Sequence, residues 1–260
     1  MVDGSRGETP GAFMHNGRMS ESPSVLFEQR EGWVTIVLNR PHRKNAMTGP
    51  MMDLLADAIE AAGADEANAA VVLRGADGVF CSGVDLTELQ ASPPADWVPT
   101  FGESVRRAHL ALFRCECPIV VALERYSING STALALAGDL GVAGDDAVMQ
   151  IGEIRQGANM PMNAAWTLIK SDESTLARLA LVGDRVPALR MAELGLVHEV
   201  VGAGDVIATA EAHAGRLASY PPGSARRVKA EIRRRLTIDP DTWFSSVPND
   251  ALLTADQVRS

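Results

Sequence analysis

Cysteine is scarce: Cys81, Cys115 and Cys117 are the three in 260 residues. An odd number without C-x-x-C spacing offers neither a disulfide framework nor a thiolate set for zinc, and a reducing, cytoplasmic setting fits best. Histidine is sparse too. His15, His42, His109, His198 and His213 show no ligand spacing, so surface or capping roles are expected for each, and no metal is implied. No apolar run reaches the length a bilayer requires, which argues against membrane insertion. Positive charge is in deficit, 24 Lys+Arg against 33 Asp+Glu for a net −9, and this opposes general attraction to nucleic acid or anionic lipid. An anionic ligand would need a local basic patch. Residues 1–22, rich in glycine and small polar types, lack the apolar stretch of a signal peptide and read as a disordered leader.

What is present is ordinary globular material, 46% hydrophobic and 22% charged, enough for one large domain or one domain plus an appendage. Residues 25–39 alternate and then run apolar around Glu31-Gly32, which predicts a hairpin whose second strand is Trp33 to Leu38. Pro50 marks a helix start, and Met52, Leu55, Ile59 and Ala62 recur at helical intervals. Ala70 to Leu73 reads as a buried strand, followed by a glycine-rich loop from Gly75 to Gly83. The alternation continues with a helix over 105–113, a strand over 119–123, a helix over 130–137 and a strand near 140–142, which predicts an α/β domain. After about Val201 two helical segments remain, over 205–218 and 224–236. In the second, Ala225, Val228, Ile232 and Leu236 predict an apolar docking stripe, with arginines and Lys229 on a solvated basic face that could also receive ligand phosphates.

Four segments, in order and with matching gaps, carry a resemblance. They are Val34 to Pro41 with Asn45-Ala46-Met47; Phe80-Cys81-Ser82-Gly83-Val84-Asp85-Leu86; Ile128-Asn129-Gly130 through Asp139; and Val182 to Arg185 with Ala192 and Gly195-Leu196-Val197. Together they resemble the enoyl-CoA hydratase/isomerase (crotonase) superfamily over residues 25 to 235. The resemblance implies a crotonase-like spiral of repeated ββα units over 23–200, with a C-terminal helical trimerisation segment over 201–260. It also implies a homotrimer or hexamer acting on an acyl-CoA thioester, with coenzyme A as part of the substrate and no separate cofactor. Set beside the family, the chain stops at Ser260, short of the last helix that many members possess, which bears on the lid of the acyl pocket.

Chemistry beside a thioester carbonyl places negative charge on its oxygen, and preorganised N–H donors are the strongest available stabiliser. The resemblance assigns that role to the backbone amides of Val84 and Gly130. It places Arg43, Lys44, Ser82, Asp85 and Leu86 along the substrate, with Arg43 and Lys44 at the coenzyme A phosphates. Hydratases of this family use two glutamates; at the matching positions this chain has Ala133 and Glu153. Hydration needs both a base for water and an acid for carbon, whereas one carboxylate suffices to carry a proton from C2 to C4. Glu153 with Gly157 and Pro161 resembles the Glu-x-x-x-Gly-x-x-x-Pro stretch of Δ3,Δ2-enoyl-CoA isomerases, which favours isomerisation with Glu153 as proton shuttle. Two other readings stay open: a hydratase or related lyase using Glu153 with water or Glu124, and a protein of this fold that binds acyl-CoA without turnover. Glu124-Arg125 otherwise reads as a local ion pair.

Overall fold

The computed structural model describes residues 22–245, so all but the last residue of the leader, and residues 246–260 of the C-terminal segment, lie outside the described residues. The predicted hairpin is present as β1 (Val25–Gln29) and β2 (Trp33–Leu38), paired antiparallel. Beyond it every strand of the main sheet is parallel to its neighbours: β3 (Ala70–Gly75), β4 (Ile119–Leu123), β6 (Leu140–Gly144) and β9 (Glu199–Val201), in the order β1-β2-β3-β4-β6-β9. A second sheet joins β5 (Tyr126–Ile128), β7 (Val148–Gln150) and β8 (Arg185–Pro187).

The parallel strands read as continuous apolar runs because both faces are covered. Alternate residues go to different cores. Val71, Leu73, Ile119 and Val121 face the large core with α1 (Gly49–Ala64), α3 (Phe101–Arg114), α4 (Gly130–Leu136) and α5 (Pro161–Lys170). Ala70, Val72, Val120 and Ala122 face the smaller core, covered by Val206, Ala210 and Ala214 of α8 (Val206–Ala218). Alanines on that helix let its backbone lie close to the sheet. The remaining helices are α2 (Leu86–Leu89), α6 (Glu173–Val182), α7 (Ala188–Glu193), α9 (Ser224–Arg234) and α10 (Pro240–Trp243). No helix among the described residues is long and apolar enough to cross a membrane.

Two expectations need correction. The apolar stripe of α9 does not dock as a stripe: Ala225 is buried, but Val228 and Ile232 are 61% and 59% exposed, while Lys229 is 4% exposed. The helix is held by its cations instead. Lys229 Nζ reaches Asp139 Oδ2 and the Cys117 carbonyl, each at 2.8 Å, Arg233 reaches Asp139 Oδ1 at 3.1 Å, and Arg226 donates to the Gly63 and Asp65 carbonyls and Glu116. The carbonyls and carboxylates on the surface it covers demand donors, which an apolar stripe cannot supply. Arg226, Lys229 and Arg233 are thereby committed, and Arg234 and Arg235 pair with Glu231. Nor is His109 a surface residue. It lies in an aromatic cluster with Trp166, Phe113 and Phe244, accepts from Trp166 Nε1 at 2.9 Å through Nδ1, and is held neutral by burial, which pushes its pKa down to about 3.

Candidate active site

The site begins in the turn after β2. Lys44 and Asn45 both take left-handed backbone, and Asn45 donates to the carbonyls of Ala76 and Val79 at 2.9 and 2.7 Å. That clamp ties the loop after β3 to this turn. Met47 then pairs with Val84 in an isolated parallel bridge, using Met47 N to the Gly83 carbonyl and Asp85 N to the Met47 carbonyl. Gly83 makes the approach possible: its φ is +95°, and a Cβ there would stand 2.8 Å from the Ile128 carbonyl oxygen. Opposite, Asn129 carries an unusual backbone for a non-glycine residue, φ 53° and ψ −127°. It is over-determined by its bonds. Its N–H donates to Gln150, its Oδ1 accepts from the Gly152 N–H, and its carbonyl accepts from the Thr132 N–H and Asn163 Nδ2.

The two segments bring Val84 and Gly130 together: a Cβ at Gly130 would lie 3.9 Å from Val84 Cγ2 and 3.0 Å from Met47 Cε. Among the described residues, neither the Val84 nor the Gly130 N–H donates to any acceptor. A free N–H is normal at a helix start. The Val84 N–H is left over because the parallel bridge to Met47 is made by the groups on either side of it, the Gly83 carbonyl and the Asp85 N–H, so its own N–H faces away from Met47.

Glu153 opens the short turn Glu153–Gln156, which Gly157 ends in left-handed backbone at φ 64°. The chain then reverses, and Pro161 starts α5, whose Asn163 returns to the carboxylate. Asn163 Nδ2 donates to Glu153 Oε1 at 2.7 Å, while Glu153 Oε2 and Asn163 Oδ1 are buried without a partner among the described residues. Burial pushes the Glu153 pKa up to about 7, against the smaller downward pull of its backbone N–H and Asn163. No charged group contributes. Ala133, fully buried in the first turn of α4, presents a methyl where a second carboxylate was sought. Burial raises the pKa of Glu124, the charges it feels are Arg74 and Asp146, and among the described residues it forms no ion pair with Arg125, which turns the chain at φ 56°.

The five residues placed along the substrate also cluster. Arg43 grips Asp85 with Nε and Nη2 at 3.1 and 2.7 Å, and Arg40 reaches Asp85 at 3.1 Å and Glu88 at 2.6 Å. Asp85 in turn accepts from the Thr87 and Glu88 N–H groups at 3.2 Å and so caps α2, which Leu86 begins. Burial pushes the Asp85 carboxyl up, yet its bonds from Arg43, Glu88 and Arg40 prevail and hold its pKa at about 2. Ser82 donates to the Lys44 carbonyl at 3.1 Å. Lys44 is exposed and forms no ion pair among the described residues, so it, more than Arg43, has its charge free for a phosphate.

The histidine expectation changes at one further place. His198, Glu199 and His213 bring ligand atoms within 4.8 Å of one another, a grouping that their wide spacing in the chain concealed. The bonds around them suit protons better than an ion. His198 Nδ1 accepts the Gly141 N–H at 3.0 Å, so in the neutral ring Nε2 carries the hydrogen and has no lone pair for a metal.

A model of the family described as enoyl-CoA hydratase/isomerase matches residues 28–246. The chain belongs to the enoyl-CoA hydratase/isomerase family. Among its relatives, Enoyl-CoA hydratase EchA19 of Mycobacterium tuberculosis is 29% identical over 218 residues, covering 83% of this chain and 82% of that one. The 1,2-epoxyphenylacetyl-CoA isomerase of Escherichia coli is 27% identical, covering 84% and 85%. A solved enoyl-CoA hydratase/isomerase from Xanthobacter autotrophicus superposes with a TM-score of 0.74 at 29% identity, covering 87% and 89%. The protein is thus an acyl-CoA enzyme of this family with its α/β fold. Asn163 is the member of the site that reading the residues missed; its signal was the Glu-Gly-Pro spacing, which encodes a turn, a left-handed cap and a helix start that fold the chain back on Glu153.

Proposed function

We propose that this chain is an enoyl-CoA isomerase that moves a double bond along an acyl-CoA thioester, with Glu153 as its proton shuttle. The observation that carries this reading is the buried Glu153 carboxylate: one of its oxygens is without a partner among the described residues, its pKa is near 7, and an alanine fills the place of a second acid. The thioester oxygen lies between the Val84 and Gly130 N–H groups. Glu153 Oε2 takes a proton from C2, the C–H electrons pass into the enolate, and the same proton returns to C4 as the double bond moves into conjugation. A base whose pKa matches the working pH is half ready to take a proton and half ready to give it. Lys44, with Arg43 held by Asp85 beside it, faces the coenzyme A phosphates. The reaction uses no cofactor beyond the coenzyme A of its substrate, and the setting is cytoplasmic.

The test is turnover of a 3-enoyl-CoA followed at the absorbance of the conjugated product. Glu153→Gln should lower the rate by about 10²–10⁴-fold, because an amide cannot accept the proton. Wild-type protein should hydrate crotonyl-CoA feebly, and Ala133→Glu, which sets a second carboxylate one helical turn beyond Gly130, should raise hydration relative to isomerisation. A second reading, hydration, draws support from the name of a relative, Enoyl-CoA hydratase EchA19. Efficient hydration of crotonyl-CoA by the wild type, with little turnover of the 3-enoyl-CoA, would decide for it.

A further inference from the structure

Asn163 is 1% exposed and stands third in α5. Both hydrogens of its amide are in use, one toward Glu153 Oε1 at 2.7 Å and one toward the Asn129 carbonyl at 3.0 Å. These acceptors fix its orientation. Turned over, the amide would press Oδ1 against two oxygens and lose both bonds. Yet Oδ1 itself has no partner among the described residues, so the group is not there to satisfy its own polar atoms, and a buried apolar side chain of the same size would avoid that cost. What the amide does accomplish is a link. Its two bonds join the acid/base carboxylate to the carbonyl of Asn129, the residue that immediately precedes Gly130 and whose backbone aims the Gly130 N–H.

We infer that Asn163 is the positioning residue of the proton shuttle, occupying Glu153 Oε1 so that Oε2 alone exchanges the proton, in fixed register with the N–H groups that hold the thioester oxygen. This rests on the reading of Glu153 as the proton carrier. The bond to Oε1 is charge-assisted while Glu153 is ionised and becomes an ordinary one when Oε2 receives the proton. Asn163 therefore favours the carboxylate and opposes the effect of burial, the direction in which it acts on Glu153. The charged groups nearest along the chain and on the packed helix are engaged or turned to solvent: Arg155, on the same turn, is tied to Asp184, and α6, which packs against the turn, carries Glu173 and Arg178 exposed.

The pH dependence of 3-enoyl-CoA isomerisation separates positioning from mere packing. In the wild type, kcat/KM should rise with pH as Glu153 ionises and then level. Asn163→Ala removes the donor, and the midpoint of that rise should move up by about one pH unit. Asn163→Asp keeps the shape while placing a second carboxyl against the first, and should move it further and spread it into two steps. Should the alanine variant not fold, the isosteric aspartate variant carries the test. The same midpoint can be read without substrate from the ¹³C shift of the Glu153 carboxyl, assigned by its disappearance in Glu153→Gln. A packing role would lower the plateau and leave the midpoint in place; that result, by either readout, overturns the inference while the Glu153 reading stands. A Glu153→Gln variant that isomerises at the wild-type rate overturns the Glu153 reading itself.

Discussion

Glu153 works against the stability of the molecule that carries it. Its pKa lies well above that of an unfolded glutamate, so the folded state holds the proton more tightly over the interval from about 4.3 to about 7. The sign follows from linkage. The favourable contribution is complete below the unfolded pKa and is lost as pH rises through the folded one. At pH 8 the buried carboxylate costs about 3–4 kcal/mol, and Glu153→Gln removes a charge without changing shape. The variant should therefore melt roughly 10 °C higher than the wild type at pH 8, while the two should nearly coincide at pH 4. Calorimetry at the two pH values checks this. Equal melting points at pH 8 would mean that the carboxylate is better solvated than its burial indicates.

At the scale of elements, α9 is attached by charge. Asp139, at the end of α4, receives both Lys229 and Arg233, and burial pushing its pKa up is outweighed by those two cations. Asp139→Ala would leave Lys229 buried beside no counter-charge, and loss of one partner from such a set costs about 3 kcal/mol. Denaturant unfolding should report that loss, whereas Arg234→Ala, on the exposed side, should be nearly neutral. This helix is also where the residues misled. Period 3.6 identified a helix but not which face goes inward, because the decision lay with carbonyls at Gly63, Asp65 and Cys117 that are remote in the chain. The parallel strands were legible because burial on both faces leaves an unbroken apolar run, as at Ile119 to Leu123. The short strands β5, β7, β8 and β9, three residues each, are too brief to show a period. In the site, the Val84, Gly130 and Glu153 segments stood out through their resemblance to the family, four motifs in order with matching gaps. Asn163 was hidden since one amide among many polar side chains carries no pattern, and only the reversal at Gly157 brings it to Glu153.

For the whole molecule, the exposed apolar residues raise the question of assembly. Leu181 and Val182 at the end of α6 are 69% and 56% exposed, and Ile154, next to Glu153, is 49% exposed. With Val228 and Ile232 of α9 also outward, the chain has surface that association would cover. A trimer or hexamer is the expected state, and light scattering at micromolar concentration should give about three or six times 27.6 kDa. Salt should not disperse it if these apolar residues make the contact, and a monomer under these conditions would contradict the expectation.

The anion-holding pair proposed above, the Val84 and Gly130 N–H groups, consists of main chain alone, and this bears on how such a protein can change its chemistry over time. Substitutions at Val84 leave its N–H where it is, so mutation can explore the surrounding side chains without disarming the reaction centre. Selection on that half of the site acts on conformation, through Gly83 and the strained Asn129, and the choice of reaction is left to a few side chains. Ala133 is one of them, and an alanine codon ending in a purine is a single base from a glutamate codon. On the proposed assignment of Glu153 as the single acid/base group, isomerisation thus lies a single mutational step from hydration on an unchanged scaffold.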